Sequence, residues 1–185
     1  MIVLIHRTSS EEINMKPGGG NLNSGCVLFA VGSCYEDLSE IDEGEFEYIE
    51  GYRPGQEDDD YIFGIQINSW ISVSALTLDE KARADIFDMF NRKIASEARR
   101  EGFVIKSDSD IEDLLDGSRE DIIQLDGDFS WEMQRMRAER AARMGYQAVV
   151  DRDENGEVYV VDFSNSNSPP KIERLFRISD LEEMD

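Results

Sequence analysis

Short apolar runs at residues 2–5, 26–31 and 61–68, and again at 147–150, 157–163 and 171–178, stand on either side of a helix-patterned block. Runs of this length, rich in Val, Ile and aromatic residues and bounded by turn formers, read as strands. In 61–68, Tyr61, Phe63, Ile65 and Ile67 alternate onto one face. The dipeptide Asn155-Gly156 lies between two of the later runs, and Asn-Gly is a strong signal for a tight hairpin turn. The order predicts an α+β chain, with a mixed, mostly antiparallel sheet and helices inserted between its halves.

The intervening block supplies the helices. Leu78 to Arg100 reads as one long helix whose buried side carries Ile86, Phe87, Met89, Phe90 and Ile94. A short acidic helix is expected over Asp108 to Leu115. A third helix, capped by Asp128 or Ser130, ends at Gly145. Its residues Trp131, Ala138 and Ala142 fall nearly opposite Met133, Met136 and Met144, so it is expected to pack on two sides with Trp131 in the core. A chain of 185 residues, 40% hydrophobic, can bury one core, which gives a single domain over 1–185 with a helical insert at about 78–125. The stretch KPGGGNLNSG lacks phosphate-loop spacing and reads as a connector. The acidic run within 32–60 reads as a solvated loop, and the acidic tail after residue 178 as frayed.

The net charge of −22 disfavours nucleic acid and anionic membrane as partners and favours basic protein surfaces. No window approaches the length of a membrane span and no signal peptide is seen, so the cytoplasm of the cell is expected. Cys26 and Cys34 have neither CxxC nor zinc-ligand spacing; both are expected as free thiols, with no metal site.

The sole histidine of the chain, His6, ends the first strand within His6-Arg7-Thr8. Alone, such a ring is most often structural. Other motifs follow it in order: GCVLFAVGSCY, which carries Phe29 and Tyr35, then SWEMQ, GYQAV and DENGEVYVVD, which puts Glu157 at the head of a strand. This ordered set resembles the His, Tyr, Glu arrangement of diphtheria-toxin-like and poly(ADP-ribose)-polymerase-like ADP-ribosyltransferases. More narrowly, it resembles the phage-encoded type I-F anti-CRISPR ADP-ribosyltransferases, over roughly residues 2–36 and 126–163.

The resemblance implies an ADP-ribosyltransferase-like fold and NAD+ as co-substrate. It implies that His6 holds the adenosine ribose, that Arg7 and Thr8 hold the nicotinamide amide, that Tyr35 stacks on the pyridinium ring and that Phe29 lines the same cleft. The middle residue of the motif is usually glycine in the wider superfamily. Here it is Arg7, whose guanidinium suits the pyrophosphate. The catalytic carboxylate is expected at Glu157 first and Glu132 second, with Asp126 and Asp128 favoured as turn and cap residues. The implied activity is mono-ADP-ribosylation of a protein, a basic DNA-binding subunit of a type I CRISPR surveillance complex, which would block DNA binding. Two other readings stay open: an acidic nucleic-acid mimic without catalysis, and a phage or toxin enzyme acting on another host protein.

Overall fold

A strand survives in water only if its apolar face is covered, and here the inserted helices provide that cover. The computed structural model describes residues 1–13, 27–41, 61–153, 156–164 and 169–179. Among these residues, seven strands form one sheet: β1 (Ile2–Thr8), β2 (Val27–Gly32), β3 (Tyr61–Ile67), β4 (Trp70–Ser72), β5 (Ala148–Asp153), β6 (Gly156–Asp162) and β7 (Lys171–Arg177). Their order across the sheet is β4-β5-β6-β2-β1-β3-β7. Every pairing is antiparallel except β4 with β5. The sheet is therefore mixed and mostly antiparallel, as the sequence predicts. The expectations for the triple-glycine connector, most of the acidic run, Asn155, Cys26 and the tail from residue 180 lie outside the described residues.

The helices are α1 (Glu80–Lys93), α2 (Ala95–Arg100), α3 (Asp108–Leu115), α4 (Glu120–Ile123) and α5 (Gly127–Arg143). The expected long helix is thus broken at Ile94, whose side chain is fully buried. Phe87, expected on its buried side, is 44% exposed. The main core joins Ile86, Met89 and Phe90 of α1, Phe129, Met133 and Met136 of α5, and Val27, Phe29, Val149, Val158 and Val160 of the sheet. The cap of α5 is Asp126, neither Asp128 nor Ser130: its Oδ1 accepts from Phe129 N at 2.8 Å. Gly145, at φ +93°, ends the helix in the left-handed conformation that glycine tolerates.

Asp79 ties the two long helices together. Its carboxylate caps α1 through Ala82 N at 2.7 Å and accepts from Arg140 and Arg143 of α5 at 2.9 and 3.0 Å. Burial opposes its charge, but the Arg143 hydrogen bond, the Ala82 amide and both guanidiniums hold the carboxyl below its ordinary value. Gly64 in β3 matters for what it lacks, since a Cβ there would collide with Leu38 Cδ2. Its missing side chain lets the turn at Leu38–Glu40 lie directly on the sheet.

Candidate active site

The sheet has a seam between β1 and β2. These strands pair only at Leu4 with Gly32 and Ile5 with Val31. Beyond Ile5, β1 stays beside β3 as far as the Thr8–Tyr61 pair, while β2 runs beside β6 from Val27 to Ala30. His6 sits at the point of divergence, 8% exposed, with Nδ1 at 2.7 Å from the carbonyl oxygen of Phe29. A carbonyl can only accept, so Nδ1 carries the proton. The ring therefore bridges the strands where their ladder stops.

Strand alternation puts Leu4, His6 and Thr8 on one face of β1 and Arg7 on the helix-covered face, with Phe29 of β2. Arg7 is buried, and Thr8 Oγ1 accepts from Ser10 N at 3.2 Å, closing the turn after β1. Above Phe29 stands Trp131 of α5, with ring centroids 6.1 Å apart and planes tilted by 46°. Trp131 is 57% exposed, which corrects its expected place in the core. Helical periodicity gives the angle of a residue about the axis but not what stands there.

The next residue, Glu132, accepts from Arg135 Nε at 2.7 Å, and Arg135 Nη1 also donates to Glu139. Two carboxylates share this guanidinium, and Lys81 Nζ lies 3.8 Å from the second oxygen of Glu139. Glu132, Arg135, Glu139 and Lys93 line a groove of about 390 Å³ between α1 and α5. A second cavity, of about 510 Å³, lies beside Phe63, the cross-strand neighbour of His6, and is lined by Ile13, Ile172 and Arg174.

Other expected residues stand elsewhere. Tyr35 is half-buried against Val3 and Ile5, and its carbonyl accepts from Val3 N at 3.0 Å. It thus lies by the paired end of the seam. Glu157 is exposed near the β5–β6 hairpin, opposite Arg152. Asp128 is exposed, 3.4 Å from Lys93. Phe29 links the two sides of the sheet: its carbonyl meets the His6 ring, and its own ring meets Trp131 on the helix-covered face.

Sequence reasoning passed over Asp162. It ends β6 opposite Val27, on the face of Val158 and Val160, and is 1% exposed. Its Oδ1 accepts from Ser164 N at 2.6 Å and from the Ser164 hydroxyl, while Oδ2 is buried with no hydrogen-bond partner among the described residues. Burial raises its carboxyl above the ordinary range, against the Ser164 hydrogen bonds; Glu139 adds to the rise and Arg135 opposes it. An acid closing the apolar run VYVVD was the available signal. Among the described residues, no group of three or more His, Cys, Asp or Glu is placed to hold a metal, and no helix is long and apolar enough to cross a membrane.

The family model described as anti-CRISPR type I-F ADP-ribosyltransferase AcrIF11 matches residues 56–168, which run from the approach to β3 through α1–α5 to the end of β6. A solved structure described as a crystal structure of an anti-CRISPR protein shares 20% identity, over 94% of this chain and 95% of that one, with a TM-score of 0.46. No curated protein matches the chain. Because the family match spans more than half of the sequence and includes the helix that carries Trp131 and Glu132, the chain belongs to the anti-CRISPR type I-F ADP-ribosyltransferase family AcrIF11.

Proposed function

We propose that the protein transfers one ADP-ribose from NAD+ to a side chain of a protein target, a basic DNA-binding subunit of a type I CRISPR surveillance complex, in the cytoplasm of the host cell. The observation that carries this reading is the family match over residues 56–168, supported by the His6–Phe29 bond at the seam and the exposed Trp131 on Phe29. The residues suit NAD+: an imidazole and a hydroxyl at the strand end for ribose and carboxamide, exposed aromatic surface for a ring, and the Glu132 carboxylate for the reacting sugar.

In the reaction, the bond between ribose C1′ and the nicotinamide nitrogen breaks with its electron pair going to nicotinamide, which leaves neutral. A lone pair of the acceptor side chain forms the new bond to C1′, and the acceptor proton passes to a carboxylate or to water. Positive charge builds on the sugar, as in glycoside hydrolysis. Glu132, held by Arg135, is the carboxylate assigned to stabilise that charge. His6 and Thr8 orient the adenosine and amide ends, and Arg7 is the cation assigned to the pyrophosphate. Glu157 and Tyr35 keep the alternative roles of acid and ring partner, to be compared by substitution.

A chain of charge −22 is attracted to a basic DNA-contacting surface. An ADP-ribose left there adds bulk and phosphate charge where DNA binds. The test is incubation of the purified protein with NAD+ labelled in the adenylate phosphate and a type I-F surveillance complex. One labelled subunit and lost DNA binding are expected. Inhibition that persists undiminished after NAD+ is rigorously removed favours the nucleic-acid mimic instead.

A further inference from the structure

We infer that the indole of Trp131 is the platform on which a flat ring of NAD+ stacks. This rests on the proposed NAD+ reaction and adds to it a residue that neither the His, Tyr, Glu pattern nor the expected core assignment would select. Trp131 has the largest exposure among the exposed large hydrophobic residues described, and leaving an indole in water forfeits a large apolar gain. It is not a stray side chain. One part of it rests on Phe29, whose carbonyl holds the His6 ring. The 46° tilt leaves its other face outside that contact.

The surroundings favour a nucleotide over an apolar protein anchor. Trp131 and Arg135 are four residues apart on α5, and Glu132 and Arg135 three apart, so the side chains form one continuous patch. Along it run an aromatic face, a guanidinium and a carboxylate, the groups that the flat ring, phosphate and ribose hydroxyls of a nucleotide engage. The nicotinamide ring of NAD+ is cationic, and tryptophan is the strongest aromatic partner for a cation. The adenine ring has the same flat π-face, and the experiment separates the two.

The chain has two tryptophans. The other, Trp70, lies in β4 at the far edge of the sheet, beyond β5 and β6 from β2. Trp70→Phe therefore leaves Trp131 as the only indole reporter. Titration of this variant with NAD+ is expected to quench its fluorescence saturably. Quenching by nicotinamide mononucleotide but not by ADP-ribose assigns the nicotinamide ring, and the converse assigns adenine. Trp131→Ala is expected to weaken NAD+ binding about tenfold, measured by calorimetry. Trp131→Phe should retain most of the affinity, and capture of the surveillance complex by Trp131→Ala should be unchanged.

If Trp70→Phe consumes NAD+ but its fluorescence does not respond, the inference is overturned while the proposed function stands. Trp131→Ala with unchanged NAD+ affinity and lost capture of the complex overturns it as well, making Trp131 a protein contact. Failure of the unsubstituted protein to bind NAD+ removes both readings.

Discussion

Arg137 Nη1 lies 2.7 Å from Asp151 Oδ2, both side chains almost wholly buried, while Arg137 Nε and Nη2 donate to the carbonyls of Leu115 and Leu114. One guanidinium thus fastens the end of α3 to both α5 and the sheet. Such a pair gives modest net stability when intact, yet removing one partner strands a buried charge. Asp151→Ala and Arg137→Met should each cost about 3–5 kcal/mol, read from urea unfolding. A loss below about 1 kcal/mol would mean that water reaches the pair.

Exchange of the two competing carboxylates separates their roles. Glu132→Gln keeps shape and removes the charge beside Arg135, so kcat for ADP-ribose transfer should fall about 10²- to 10³-fold, the scale of losing one preorganised electrostatic contact. Glu157→Gln, at an exposed hairpin position, should stay within about threefold. Steady-state transfer rates with both variants decide the matter, and the opposite ranking moves the acid to β6.

Replacing Asp162 should give a stability gain that grows with pH. Its folded-state carboxyl titrates above the unfolded value because it is buried. Below the ordinary carboxylate range it is protonated in both states and costs nothing. As pH rises, the unfolded chain ionises first, and stability declines until the folded carboxyl also ionises. Asp162→Asn should therefore unfold at higher urea than the parent at pH 7, with the advantage vanishing in acid. A constant difference across pH would exclude this titration as the cause.

Asp79 predicts the reverse. Its carboxyl is held below the ordinary value, so its contribution is complete above that value and is lost as pH falls through the folded one. Asp79→Ala removes the cap of α1 and should cost about 1 kcal/mol or more at pH 7. Urea midpoints for parent and variant should converge in acid.

Salt tests the role of the net charge. Attraction between a chain of −22 and a basic target is screened within about 8 Å at physiological ionic strength. Modification by a small molar fraction of the protein should slow as salt rises and still reach completion. Inhibition that stops at one-to-one stoichiometry would mark the acidic surface itself as the inhibitor.

The strands were legible because their apolar runs carry the packing pattern directly, as in Val3, Leu4 and Ile5 or Val158, Val160 and Val161. β4 was missed: three residues, one of them the exposed Trp70, pair in parallel with β5 and leave no alternation to read. The break at Ile94 has no glycine or proline to announce it. At the start of α5, Asp126, Asp128 and Ser130 can all cap, and the choice follows from Phe129, which is fully buried in the observed register. The same limit applies to the site. His6 was singled out as a residue type at a strand end, but its partner is the backbone of Phe29, 23 positions away, and a main-chain carbonyl has no sequence signature. Trp131 was placed by helical angle alone, which cannot show that the strand beneath it turns aside from β1.

The two residue pairs joining β1 to β2 make this sheet mechanically a three-strand leaf and a four-strand leaf sewn along a short hem, with the His6 ring as a further stitch. Most antiparallel neighbours spread shear over a full ladder; here it concentrates at Leu4, Ile5, Val31 and Gly32, at the bonds of Val3 to Ser33 and Tyr35, and at the His6–Phe29 bond.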